Sequence, residues 1–455
     1  MKEHFKEQIR LIKLVKKYLI NCKKTGVDIA LSPKCFITTW ALTPGYFKLK
    51  SLTNSSNFSS FFINSVKDLF SICFHHDIFC KKKSIKKNEV NNLIISYCKK
   101  KNFKNDGSFY DDYFKTSSRN TGSYWFLVSL DNFEPANLNK NIFVIKKKHK
   151  NSFSIFYLLN YLLNVISRNF FSFRKLSHET SNMYVFMKEV RRIFYLLFKN
   201  TKINNLILNY EGIPFQHGII KEVKKINFKT KVICYLHCAG WPLQLDLIYR
   251  LNLIDKLIVS GKDQKNVLKK FLNWPNKKIS IIPSLRFQKS NIKNYGGFIF
   301  VPYEITSFKK YLNSFDVFLN SAANKSINYF KLRIHPLNKN SDIHKEFAIE
   351  LRKKIKKYKN KFSKKLKKNC SFIFGSATGV SIQTLEYGVK IYHIPDNENI
   401  DVFSNKIWPN IKVKKSIAGV YEYCVKKRGQ MFQENSSKNN FERYLLPLTL
   451  AYSRN

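Results

Sequence analysis

Apolar residues in this chain cluster in short continuous runs, separated by polar stretches with helical periodicity, and the alternation is clearest from about residue 205 to 395. Runs of that kind fit strands of a parallel sheet covered on both faces, with the amphipathic stretches as crossovers. Asn205 to Glu211 predicts a strand, Pro214 to Ile226 a helix with proline in its first turn, and Lys231 to His237 the next strand. Lys256 to Ser260 continues the series, followed by a helix from Asp263 to Leu272 and a strand from Lys278 to Ser284. Upstream, Asn92 to Tyr97, Ser123 to Leu130 and Asn141 to Ile145 read as short buried strands, 104–122 as a loop, and 153–198 as helical. Arg286 to Gly297 is polar, ends on a Gly-Gly pair and reads as a linker. A second series begins at Phe298 to Val301. Residues 315–319 read as a helix end or short strand, Tyr329 to His335 as a strand, and Lys345 to Lys368 as a basic helix. Ser371 to Phe374 and Lys390 to Ile394 predict strands, and Ile417 to Met431 a terminal helix. Two successive α/β units with a cleft between them result.

Composition sets bounds on that picture. At 455 residues the chain is too long for one ordinary core, and its 44% hydrophobic and 15% aromatic content can fill large ones. The formal net charge is +51. Attraction to nucleic acid or an anionic membrane is one reading of it, and drift toward Lys, Asn, Ile and Phe along the whole chain is the other. No module combines clustered basic and aromatic residues, so nucleic acid is not an expected partner. The nine cysteines are scattered and odd in number, which favours a reducing compartment. Met1 to Lys24 is basic and amphipathic, with Phe5, Ile9, Ile12, Val15 and Leu19 at helical spacing, and has no signal-peptide run. The apolar stretch 153–166 is short, carries Asn160 and Asn164, and reads as a core helix rather than a membrane span. The expected location is the cytoplasm, with peripheral contact to an anionic inner membrane face.

Two pieces carry chemistry. Phe372 to Tyr392 reads as strand, tight turn, helix and strand, and the Gly375-Ser-Ala-Thr-Gly379 turn offers Ser376 and Thr378 hydroxyls, followed by Ser381, at a helix start. Such a turn suits a phosphate through free N–H groups and the helix dipole, and serves equally well as an N-cap without a ligand. Glu386, further along that helix, could bind ribose hydroxyls or cap a neighbouring helix. About forty residues upstream, Lys331-Leu-Arg-Ile-His-Pro336 is a strand ending on His335, with Arg333 two residues back. That histidine could donate to a phosphate, or be a structural residue at a strand-to-loop corner. Cys73, His76 and Cys80 would share a helix face, but no matching second half completes a zinc site; Cys234 and Cys238 read as small buried residues.

Arg333-Ile-His-Pro336 followed by Gly375 to Gly388 resembles the donor half of two-domain glycosyltransferases of the GT-B fold. The likeness is nearest to bacterial enzymes of surface polysaccharide synthesis, including capsule-type and sialyl- or Kdo-transferring families, and covers roughly residues 205 to 395. It implies two Rossmann-like domains facing a central cleft: 1–288 on the acceptor side with an N-terminal helical extension, 296–416 for the nucleotide-sugar donor, and 417–455 as a C-terminal helix and tail. In those families the motif histidine and a later hydroxyl turn contact the CMP part of the donor. Here they correspond to His335 and to Ser376 and Thr378, the latter two separated by Ala377, within a donor site that also takes in Arg333, Gly375, Ser381 and Glu386. The implied partners are a nucleotide sugar, favoured as a CMP-sugar, and a glycan or lipid-linked acceptor, with no further cofactor. Inverting transfer then requires a base in the amino-terminal half. Glu211, at a strand's carboxyl end, is the first choice, and His217 and His237 are its rivals. No paired acidic motif for a nucleotide-bound metal stands out, so transfer is expected to be metal-independent. A nucleotide-sugar epimerase of the same fold and a basic nucleic-acid-binding protein are the alternatives.

Overall fold

In the computed structural model of the chain, the described residues are 2–39, 77–80, 89–131, 133, 135, 137–148, 163, 178, 182–238, 242–287, 297–305, 307–321, 330–335, 338–358, 370–374, 379–434 and 441–450. The first half builds strands β1 (Asp77–Cys80), β2 (Glu89–Cys98), β3 (Tyr124–Ser129), β4 (Ile142–Lys148), β5 (Lys202–Asn209), β6 (Lys231–Tyr235), β7 (Lys256–Val259) and β8 (Ile279–Ile281). They form one sheet in the order β1-β4-β3-β2-β5-β6-β7-β8. All neighbours are parallel except β1, which runs antiparallel to β4 at the edge. The early strands therefore belong to the same sheet as the clear β/α series that follows them. Helices α1 (Lys2–Lys24), α2 (Pro33–Thr39), α3 (Asn182–Phe198), α4 (Pro214–Ile226) and α5 (Lys262–Phe271) accompany this half.

The central pair shows why the strands are continuous apolar runs. Leu93, Ile95, Leu206 and Leu208 face one core cluster, which includes Phe194, Phe198, Ile219 and Val223 of α3 and α4. Ile94 and Ile207 face the other cluster, with Phe109, Phe114, Phe441 and Leu445. Both faces are dry, so every residue of the run must be apolar, and each fully buried Leu or Ile contributes roughly 1.5–3 kcal/mol relative to exposure. The polar segment 104–122 is a loop as expected, but Phe109 and Phe114 anchor it over the second face.

The second half builds β9 (Gly297–Phe300), β10 (Phe330–Arg333), β11 (Cys370–Phe374), β12 (Lys390–Ile394), β13 (Ile411–Lys415) and β14 (Tyr421–Val425), in the order β10-β9-β11-β12-β14-β13. The first four in that order are parallel. Helices α6 (Phe308–Asn320), α7 (Asp342–Lys357), α8 (Gly379–Glu386) and α9 (Glu398–Asp401) belong to this half. Residues 315–319 are thus the end of a helix. The terminal helix expected over 417–431 is instead strand β14, antiparallel to both β12 and β13. Val420, Tyr421 and Tyr423 are buried, a period-two pattern from residue 421, and Ala418 and Gly419 make the turn at φ 52° and 72°. A domain boundary at 416/417 would cut this hairpin in two.

After β14 the chain returns to the first half. Asp263 N–H donates to the Gln430 carbonyl at 2.9 Å, and Ser284 N–H donates to the Gln433 carbonyl at 2.8 Å. The buried carboxylate of Glu386 accepts the N–H groups of Met431 and Phe432 at 2.9 and 3.0 Å, and that of Gly429. The last short helix, α10 (Leu446–Leu450), follows Phe441 and Leu445, which close the second core. At the other terminus, α1 turns Leu11, Ile12, Val15 and Leu19 into the main core and donates from Gln8 to the Val402 carbonyl at 2.8 Å. Its apolar face is used inside the protein. No helix among the described residues is long and apolar enough to cross a membrane.

The return strap makes a specific demand at Gly261, where a Cβ would lie 1.9 Å from the Met431 carbonyl oxygen. Gly261→Ala is expected to cost about 1–3 kcal/mol by urea denaturation, because backbone, not a side chain, has to move. A loss below about 0.5 kcal/mol would show that the strap is not packed there.

Candidate functional site

Strand order locates the candidate crevice. In the first sheet the chain winds outward from β2 to β4, then returns to the other side of β2 at β5 and winds away through β8. Loops leaving the carboxyl ends of β2 and β5 therefore diverge to opposite faces, and a reversal of this kind opens a ligand crevice. Glu211 follows β5 and His237 follows β6. The two strands pair Asn209 with Tyr235, so two residues further on Glu211 and His237 stand side by side, with Nε2 3.3 Å from Oε1. The Tyr97 hydroxyl, from the last turn of β2, reaches to within 3.5 Å of the other Glu211 oxygen.

The backbone under Glu211 is fixed from both sides. Gln216, in the first turn of α4, accepts the Glu211 N–H at 2.9 Å and donates to the Asn209 carbonyl at 2.6 Å. Gly212 turns the chain at φ 73°, and a Cβ there would lie 3.2 Å from the Asp246 carbonyl. Burial raises the Glu211 carboxyl to about 7, and the nearby Asp246 charge adds to it, while Arg286 and the Tyr97 hydrogen bond act the other way. Burial, with Arg286 second, holds His237 well below its ordinary value. His237 is therefore neutral near pH 7, and its 3.3 Å approach to Glu211 is a polar contact rather than an ion pair. His237 Nδ1 is buried and finds no partner among the described residues. Cys238 lies 3.0 Å from His237 Nε2, but burial and the Glu211 charge push its thiol up, so it is no nucleophile.

A cavity of about 270 Å³ opens beside this pair, lined by Tyr97, Lys99, Lys101, Asp112, Tyr113, Lys115 and Arg286 among others. Tyr113 connects the two: its ring packs T-shaped with His237 at 4.6 Å, and the Arg286 guanidinium lies 5.1 Å from its centroid. Lys101 pairs with Asp112 at 3.1 Å. A larger depression, about 320 Å³, lies at the amino ends of β6 to β8. Its Lys256 and Lys278 donate to backbone carbonyls, and it sits at the edge opposite the crevice.

The second sheet reverses direction between β9 and β11. His335 stands two residues past β10; its carbonyl accepts the Asn338 N–H at 2.8 Å, and the Tyr303 ring packs edge-on at 5.0 Å. His344 braces the neighbouring loop, with Nδ1 2.8 Å from Ser341 Oγ and Nε2 3.1 Å from the Pro302 and Tyr303 carbonyls. Burial lowers the His335 pKa, and the charge of Lys99 lowers it further. Lys99 follows β2, so the carboxyl edges of the two sheets face one another at this point.

Gly375, Ser376, Ala377 and Thr378 lie outside the described residues, as do Cys73, His76, Pro336 and, apart from Leu163, the stretch 153–166. The flanks are informative: β11 ends at Phe374 and α8 begins at Gly379, with Ser381 in its first turn. With β9 alone between them, β10 and β11 end on the same sheet edge about 10 Å apart, at ~4.8 Å per strand. Arg333 is exposed, its guanidinium 5.7 Å over the Phe298 ring. Two expectations need correction. Glu386 does not face a ribose site: it is buried, with its carboxylate occupied by the strap N–H groups described above. His217 is no base either, since its ring nitrogens lie 2.8 Å from the Tyr210 hydroxyl and the Ala30 carbonyl, and burial lowers it to about 3. Sequence reasoning missed Tyr97, Lys99, Tyr113, Asp246 and Arg286; Lys99 and Arg286 stand just past predicted strands, which could have signalled them, whereas Tyr113 and Asp246 lie in loops with no such mark.

No protein-family model matches the chain, and no curated protein matches it. Among solved structures, an α,α-trehalose-phosphate synthase (UDP-forming) from Burkholderia vietnamiensis aligns at 10% identity and TM-score 0.34, over 62% of this chain and 78% of that one. A trehalose-6-phosphate structure from E. coli bound with UDP-2-fluoro glucose gives the same values. The Burkholderia xenovorans α,α-trehalose-phosphate synthase (UDP-forming), in complex with glucose-6-phosphate, aligns at 9% identity and TM-score 0.33, over 64% of this chain and 80% of that one. Likeness at this level carries no functional argument.

The raised carboxyl has a thermodynamic signature. Between about pH 4.5 and 7 folded Glu211 holds a proton that the unfolded chain has released, so its contribution to stability falls as pH rises through that window. Glu211→Gln imitates the protonated acid. It is expected to stabilise the protein by about 1–2 kcal/mol at pH 8, discounted because 33% of the side chain remains open to solvent, and by almost nothing at pH 5. Denaturation curves of both proteins at the two pH values check this, and a difference independent of pH would mean that the carboxyl titrates normally.

Proposed function

We propose that the chain is a glycosyltransferase that moves a sugar from a nucleotide-activated donor to a hydroxyl of a glycan or lipid-linked acceptor, by inversion and without a metal. The observation that carries this reading is the Glu211–His237 pair: a carboxyl poised near neutral pH at the crevice of one sheet, facing the crevice of the other. The acceptor occupies the cavity beside Tyr113 and Arg286. The Glu211 carboxylate removes the acceptor hydroxyl's proton as the new C–O bond forms at the sugar's anomeric carbon. The bond from that carbon to the donor phosphate breaks, and the electron pair leaves with the phosphate. Neutral His237, with Nε2 3.3 Å from the carboxylate, packs against Glu211 and keeps it aimed. His335 and the Ser376 and Thr378 hydroxyls hold the leaving phosphate, with the amino end of α8 adding its dipole. The resemblance of the two donor motifs favours a CMP-sugar and a role in surface carbohydrate assembly. Lys6, Arg10, Lys13 and Lys17 on the exposed side of α1 supply a weak, salt-sensitive attraction to an anionic bilayer.

A thermal-shift screen against CMP, UDP, GDP and their sugars finds the donor, since a ligand of the folded state raises the melting temperature. With that donor, Glu211→Gln is expected to lower kcat by about 10²–10⁴-fold with donor affinity unchanged. His335→Ala is expected to weaken donor binding about tenfold, the loss of roughly one charge-assisted hydrogen bond. In the wild type kcat/KM should rise with pH through about 7. Wild-type turnover by Glu211→Gln overturns the assignment of the base. Conversion of a nucleotide sugar with no acceptor present would identify an epimerase instead.

A further inference from the structure

Away from the cleft, three ligand-type side chains meet in the main core. Cys22 near the end of α1, Cys35 in α2 and His178 are 2%, 0% and 4% exposed. His178 Nε2 lies 3.9 Å from Cys22 Sγ, and Nδ1 lies 3.8 Å from Cys35 Sγ. One donor atom from each residue can be chosen so that all lie within 4.8 Å of one another. Ser32 orients the ring: its Oγ is 2.6 Å from His178 Nδ1 and also accepts the Cys35 N–H at 3.2 Å. A proton on Nδ1, donated to that hydroxyl, leaves the Nε2 lone pair directed toward the Cys22 sulfur. A second partner that fixes the tautomer of a ligating histidine is the usual support of a metal site.

We propose that Cys22, Cys35 and His178 bind one zinc ion through two thiolates and Nε2. Zn–S bonds near 2.3 Å and Zn–N bonds near 2.0–2.1 Å place tetrahedral ligand atoms about 3.5–3.8 Å apart, close to the 3.9 Å between Cys22 Sγ and His178 Nε2. The charges also fit. Binding releases two thiol protons, and Zn²⁺ with two thiolates and a neutral imidazole has no net charge, which a core lined by Leu19, Val27 and Leu31 can accommodate. Three protein ligands leave a fourth position for water. The ion would staple α1, α2 and the segment at His178 into one unit, independently of the transfer chemistry.

Cobalt titration of the reduced, metal-free full-length chain tests this. One equivalent should produce the ultraviolet thiolate-to-cobalt band, zinc should displace it, and zinc loading should raise the melting temperature. Cys35→Ser should abolish the band, and His178→Gln, which keeps both thiols, should weaken cobalt binding at least tenfold, each with a wild-type far-ultraviolet circular dichroism spectrum. Cys238→Ser, in the separate Glu211–His237–Cys238 group, should leave the band intact. A wild-type chain without the band, a band surviving Cys35→Ser, or a band lost in Cys238→Ser overturns the assignment.

Discussion

The pairing register of β5 against β6 is the constraint on which the candidate chemistry depends. Asn209 opposite Tyr235 is what puts Glu211 opposite His237 two residues past the sheet. A one-residue slip would turn every side chain of one strand to the other face, and Leu206, Ile207 and Leu208 are all fully buried, so the core forbids the slip. The geometry of the candidate pair is thus set by packing well below it. Gln216 then carries the register past the last ladder bond by linking the Glu211 N–H to the Asn209 carbonyl.

Position at the reversal point also sets the electrostatics. Glu211 is flanked by Tyr97, Asp246 and Arg286, whose effects on its proton differ in sign, and burial outweighs them all. Arg286 pulls Glu211 down and pushes His237 down as well, so one cation keeps the imidazole neutral while limiting the rise of the carboxyl. An acid–base pair with separated proton affinities follows from burial and one arginine, with no need for a buried ion pair. Burying a carboxylate in this way costs stability, and the density of packing around β2 and β5 offsets it.

Much of this was legible in the sequence because parallel strands announce themselves: Asn205 to Glu211 and Lys231 to His237 were readable as strands ending on titratable residues. Arg333 to Pro336 and Gly375 to Gly379 were likewise placed at the end of a predicted strand and before a predicted helix. Strand order was not legible. That β2 inserts beside β5, bringing Tyr97 to Glu211, depends on long-range pairing that no local pattern encodes. The hairpin of β13 and β14 was misread because Ile417 to Met431 carries apolar residues at spacings compatible with either period, and burial of Tyr421 and Tyr423 against β12 decided it. Glu386 was misread because a carboxylate serving three backbone N–H groups looks, in one dimension, like any helix-borne acid.

The charge of the chain takes on a different meaning at the cleft than in the composition. Most of its lysines lie spread over the surface, where salt screens them. Lys99 and Arg286 line one cavity, and both favour the unprotonated form of the groups they act on: Lys99 with His335, Arg286 with Glu211 and His237. An anion bound between the two sheet edges would reverse part of this. By neutralising the field of Lys99 it would raise the proton affinity of His335, which could then hold a phosphate as a cation instead of a neutral donor. By weakening the effect of Arg286 it would let the Glu211 carboxyl rise as well. An anion between the two sheet edges and the protons held by the cleft would therefore be coupled through the same two cations.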